Sequence, residues 1–176
     1  MGEVSWDQET AGAIRPMPLV TRKTNGGTME SRAEIDRRRA HFTDAFNRED
    51  LTSLRELCTE DVVMMPSNQP PIIGVDAAIE WWTTGFEAFR SALHVTPREI
   101  HIANGWAFDW WDWHVRVVPL RGTVCDVDRG SSFWMWRRQQ DHVWRVARAM
   151  WKSNSEVPSV WAGGVGYFPN DTFPLM

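Results

Sequence analysis

Apolar positions recur with two different periods along this chain, and the change from one to the other divides it. Ile35, Phe42, Ala45 and Phe46 return at helical spacing, which gives one apolar face to a first helix ending near Asn47. Ser31 followed by Glu34 has the form of a capping box, satisfying orphan backbone donors at the start of that helix. Asp50 is placed to cap a shorter second helix, LTSLRELC, whose Leu51, Leu54 and Leu57 lie three apart. DVVMMP then reads as a short apolar strand. NQPPIIG reads as a turn and bridge, because two prolines donate nothing to a ladder and Gly74 permits an unusual dihedral. Asp76 is the expected cap of a third helix with Ile79, Trp82, Phe86 and Phe89 on one face.

From residue 94 onward the period becomes two. Four strand-like runs follow, HVTPREIHIA, WAFDWWDWHVRVV, SSFWMWRRQ and VWRVARAMWKS, separated by Asn104-Gly105, by RGTVCDVDRG and by QDH. Short connections between long runs imply antiparallel neighbours in a strongly curved sheet. Helices first and strands afterwards is the order of an α+β fold. The stretch from Asp126 to Gly130 is expected as a hairpin turn and lacks the ligand count of a calcium loop.

Length and composition narrow the picture. A chain of 176 residues suits one domain with tails. Residues 1–29 read as an N-terminal arm and residues 30–154 as the domain. Residues 155–176 form a tail whose Trp161, Tyr167, Phe168 and Phe173 make it a candidate lid over a pocket or an interface. The net charge of −4, with basic residues scattered among acids, provides no face for a nucleic acid. The densest basic run, Arg37 to Arg39 between Asp36 and Asp44, is expected on a solvated helix face. Cys58 and Cys125 are too few for a disulfide framework and have no metal spacing, which points to the reducing cytoplasm. The N-terminus has no signal-peptide pattern, and no run has the 18 or so apolar residues of a membrane span.

Two stretches carry a family resemblance: TEDVVMMPSNQPPIIGVDAAIEWW, and FWMWRRQQDHVWRVARAMWKSN at the last hairpin. Over residues 31–154 the chain resembles the NTF2-like superfamily in its SnoaL-like and DUF4440 branch, which includes the ketosteroid isomerase-like proteins. The resemblance implies a cone, with three N-terminal helices packed in a curved, mostly antiparallel sheet that encloses an apolar pocket, and it implies a homodimer paired sheet to sheet. It does not fix the chemistry, because isomerases, cyclases, epoxide hydrolases, dehydratases and pure binders share the fold. Two departures matter. Many relatives carry an acid where VARAMWKSN has Ala149. The Arg-x-Asp pattern of the epoxide hydrolases is also missing, since Val117 and Val118 follow Arg116.

Candidate chemistry concentrates on WAFDWWDWHVRVV. In a strand, Ala107, Asp109, Trp111 and Trp113 face one way, and Phe108, Trp110, Asp112, His114 and Arg116 the other. The resemblance makes the Ala107 face the inner one. Asp109 among indoles would be desolvated and raised in pKa, as a general acid or base requires, whereas an arginine partner such as Arg148 would make it structural. With the faces reversed, Asp112 and His114 would form the acid–base pair; a metal on Asp109, Asp112 and His114 is not expected. Twelve tryptophans are more than a small core needs, and they argue for a cup holding a flat apolar, aromatic or cationic molecule. Its expected walls are Phe42, Met64, Met65, Trp82, Trp111, Trp113, Trp134, Trp136 and Trp151. Two functions compete: a cofactor-independent enzyme moving protons on a hydrophobic or polycyclic metabolite (isomerase, cyclase or dehydratase type), and a dimer that binds such a molecule without chemistry.

Overall fold

In the computed structural model, residues 27–67, 69–120 and 126–154 are described. The elements run α1 (Gly27–Asn47), α2 (Leu51–Leu57), β1 (Cys58–Met65), β2 (Ile72–Ile73), α3 (Val75–Ala88), β3 (Phe89–Ala103), β4 (Trp106–Pro119), β5 (Asp126–Arg138) and β6 (Trp144–Ser153). The strands form one unclosed sheet in the order β2-β1-β6-β5-β4-β3. Among the described strands only β1 and β6 are parallel; every other pair is antiparallel. This is the α+β architecture the residue pattern predicts.

Local signals explain most boundaries. Asp50 caps α2, its carboxylate accepting from the Ser53 backbone N–H at 3.0 Å and from the Ser53 hydroxyl at 2.8 Å. Asn104 and Gly105, with φ of 52° and 77°, form the two-residue turn that a twisted hairpin favours. Three boundaries differ from expectation. Helix α1 begins four residues before Ser31, so Ser31 lies buried within it and caps nothing. Gly74, at φ 89°, caps α3; Asp76 sits in the first turn and pairs instead with Arg55 at 2.6 Å. Phe89 opens β3 instead of closing α3, and Asp126 to Gly130 is ladder, because β5 pairs with β4 back to Val117.

The core lies between the helices and the concave sheet face. Ile35, Phe42 and Phe46 of α1 and Trp82 and Phe86 of α3 meet Trp111, Trp134, Trp136 and Val146. Each such side chain contributes about 1.5–3 kcal/mol when fully buried. The long edge strand β3 is pinned to the end of α1: the Asn47 amide donates to the Leu93 carbonyl at 2.9 Å and accepts from its N–H at 2.7 Å. That contact blunts an edge otherwise open to strand pairing. The tail expected as a lid, and the arm up to residue 26, lie outside the described residues.

Candidate functional site: a tryptophan-walled cavity above a buried ion pair

Strand β4 alternates strictly. Ala107, Asp109, Trp111, Trp113, Val115 and Val117 are buried, while Trp110, His114 and Arg116 are exposed. The Ala107 face is therefore the inner one. Next to it on β5, the inner residues are Gly130, Ser132, Trp134 and Trp136, and on β6 they include Ala149 and Trp151. Small and very large side chains thus share one surface. Gly130 has no room for a Cβ, which would lie 2.6 Å from the Trp113 ring and 1.9 Å from the Lys152 carbonyl oxygen. Trp113 rests on this glycine, and space is left beside Ser132 and Ala149.

That space is a cavity of about 90 Å³. Of the predicted walls, Phe42, Met64, Trp82, Trp111, Trp113, Trp134 and Trp151 line it, joined by Trp81, Val62 and Leu93. Trp136 does not, because it belongs to the layer below, and Met65 lies on the alternate face of β1. The rings pack edge to face, Phe42 on Trp134 at 4.5 Å and Trp111 on Trp134 at 5.0 Å between centroids. Cys58 and Ser132 are the polar-group carriers of the lining besides the indoles, and burial pushes the Cys58 thiol up to about 12, so it is uncharged at neutral pH. The indole N–H groups of Trp111, Trp113 and Trp134 are buried without a hydrogen-bond partner.

Beneath the cavity the polar accounting is complete. Asp109 is fully buried, and its carboxylate accepts two hydrogen bonds from Arg39, Nε to Oδ2 and Nη2 to Oδ1, each 2.8 Å. The Trp136 indole donates to the same Oδ2 at 3.1 Å, and Nη1 of Arg39 reaches Asp36 at 2.9 Å. Burial alone would lower the Arg39 pKa; the hydrogen bonds and charge of Asp109, and then of Asp36, outweigh it and raise the value. Arg39 is only 4% exposed, which corrects the reading of Arg37 to Arg39 as a solvated run. The signal was present in the sequence: Arg39 falls four after Ile35 and three before Phe42, on the apolar face. Arg148, the partner considered for Asp109, binds the Asp61 and Ala147 carbonyls instead.

The other two candidate acid–base residues lie outside. Asp112 accepts from Ser131 at 2.8 Å and from Arg98 at 2.6 Å on the outer face, and these bonds, Ser131 first, lower its pKa. His114 stacks on His94 across the β3–β4 pair, with ring centroids 4.8 Å apart. No Asp112–His114 pair forms, since each side chain is already engaged by a neighbouring strand. Among the described residues no three His, Cys, Asp or Glu side chains are placed to share a metal ion.

Comparison with known proteins agrees with this architecture. Residues 39–152 match the SnoaL-like domain. No curated protein sequence matches. Among solved structures, a ketosteroid isomerase-like protein from Erwinia carotovora atroseptica is 22% identical, with a TM-score of 0.65, over 70% of this chain and 95% of that one. An NTF2-like superfamily protein from Salmonella enterica serovar Typhimurium is 18% identical, with a TM-score of 0.67, over 79% and 97%. A hexachlorocyclohexane dehydrochlorinase is 12% identical, with a TM-score of 0.67, over 73% and 88%. At these identities the likeness is one of fold.

Proposed function

From the premise that this chain belongs to the SnoaL-like domain family, of NTF2-like fold, we propose that it binds a small, flat, apolar molecule in the tryptophan-walled cavity. The observation that carries this reading is an apolar cavity that a small domain could have closed with larger side chains at Ser132 and Ala149, and did not. Native cores tolerate few voids larger than a water molecule, and those that persist are apolar and take up apolar guests. The size favours one ring over a polycyclic skeleton. Titration of intrinsic tryptophan fluorescence with one-ring and two-ring aromatic compounds tests it. Saturable quenching is expected in the wild type and its loss in Ala149→Leu, which fills the space; quenching that survives the filling overturns the assignment.

Proton transfer is a second reading, and one observation favours it: Asp109 lies directly across the ladder from Trp134, a wall of the cavity. As a general base it has first to part from Arg39, so catalysis would require the ligand to rearrange that pair. Turnover lost in Asp109→Asn with binding retained is the expected result; equal binding and no turnover in either protein leaves the binding reading alone. Asp112 and His114 would act only on a ligand held at the outer face.

We further propose a cytoplasmic homodimer paired through the outer sheet face. Trp110, Phe133 and Met150 form an exposed apolar row across β4, β5 and β6. Such a row on a sheet is a self-complementary surface. Analytical ultracentrifugation should show a dimer that Trp110→Lys converts to monomer. No helix among the described residues is long and apolar enough to cross a membrane.

A further inference from the structure

The cavity is apolar in its walls but not silent in its polar groups. Three buried indole N–H groups, on Trp111, Trp113 and Trp134, lack partners. Ser132 is 3% exposed, lines the same cavity, and its hydroxyl has no hydrogen-bond partner among the described residues. Across the ladder Ser132 is flanked by Trp111 on β4 and Trp151 on β6, two indoles that also line the space. One orphan indole is unremarkable by itself: Trp144, away from the cavity, has one too. Ser132 differs from these indoles: it belongs to the cavity lining and its hydroxyl has no partner within the described protein, so a guest is what can satisfy it.

The remedy has a definite chemistry. An indole N–H donates and cannot accept, while a serine hydroxyl does both. No carboxylate and no ionised thiol lines the cavity to balance a cation, so attraction to the ring faces would be the whole compensation for desolvating one. An anion would be buried without a countercharge. The matching guest is neutral, flat, of about one ring, and carries an acceptor oxygen.

We propose that Ser132 is the polar anchor of the cavity: its hydroxyl donates to a carbonyl oxygen on a neutral one-ring ligand, and this bond separates aryl carbonyl compounds from hydrocarbons of the same shape. The proposal rests on the binding reading above and adds the ligand class and the residue that selects it. A hydrogen-bonding site discriminates against an analogue lacking the partner atom, because its own polar groups are then left unpaired.

Acetophenone and α-methylstyrene test this, since both are planar and differ in a carbonyl oxygen against a methylene. Tryptophan quenching by the wild type is expected to favour acetophenone about tenfold, the order of one buried hydrogen bond. Ser132→Ala should erase that preference while leaving α-methylstyrene binding unchanged or tighter, and Ser132→Thr should keep it. The wild-type comparison stands even where a variant folds poorly. Equal affinity for the two compounds overturns the role of Ser132 and leaves the cavity as a binding site. Tighter binding of phenyltrimethylammonium than of acetophenone overturns the neutral ligand class. Binding of none of the three overturns the cavity reading itself and this proposal with it.

Discussion

Two layers of the same concave surface, two residues apart along β4 and β5, treat their polar groups in opposite ways. In the lower layer Asp109, Arg39 and Trp136 satisfy one another. In the upper layer the indoles of Trp111 and Trp134 have no acceptor. The residue types overlap, since each layer contains tryptophan. The difference teaches that one tryptophan-rich surface can satisfy its indole N–H groups in one layer and leave them unpaired in the next.

The comparison can be broken first at its lower layer. Arg39→Met should cost about 3–5 kcal/mol in urea unfolding, because it strands the Asp109 carboxylate in the interior. Arg39→Met combined with Asp109→Leu should recover most of that loss, since a hydrophobic pair of similar volume needs no desolvation. Additive losses in the double variant would mean that the two side chains do not act as a unit.

A subtler cut uses one substitution in both layers. Trp136→Phe and Trp134→Phe remove similar volume, but only the first deprives an ionised carboxylate of a donor. Trp136→Phe should therefore be the more destabilising by about 1.5–3 kcal/mol, the worth of a hydrogen bond to a charged group. Equal losses would erase the distinction between the layers.

The smallest effect sharpens what burial contributes. Arg137 also grips Asp61 with two hydrogen bonds, end-on through Nη1 and Nη2 where Arg39 binds Asp109 side-on through Nε and Nη2, but at the surface. The Arg137 hydrogen bonds, against a smaller desolvation penalty, bring Asp61 down to about 2. Because this folded-state value lies below that of the unfolded chain, the pair stabilises above the ordinary carboxylate range, and the contribution is lost as pH falls toward 2. Asp61→Asn should flatten that acid limb by less than about 1 kcal/mol, given the exposure of both partners. A loss near that of Arg39→Met would show that burial is not what separates the two pairs.

Much of this was legible in the chain itself. The periods of 3.6 and 2 specify three helices and then long antiparallel strands, the turn at Asn104-Gly105 specifies a hairpin, and alternation along β4 puts Asp109 on the face of Trp111. Local geometry suffices for these, because helix and strand fix where side chains point relative to their near neighbours. Most of the cavity wall follows from the same alternation. What no local pattern holds is which distant groups meet. Arg39 and Asp109 are 70 residues apart, and whether that carboxylate is a free acid or a clasped anion depends on how α1 docks on the sheet. The void beside Ser132 is likewise a property of the docked layers, since it exists only because Gly130, Ser132 and Ala149 come to lie among rings contributed by three strands and two helices. Sequence periodicity determined the faces, and tertiary packing decided their partners, because pairing energies and voids arise between elements and not within them.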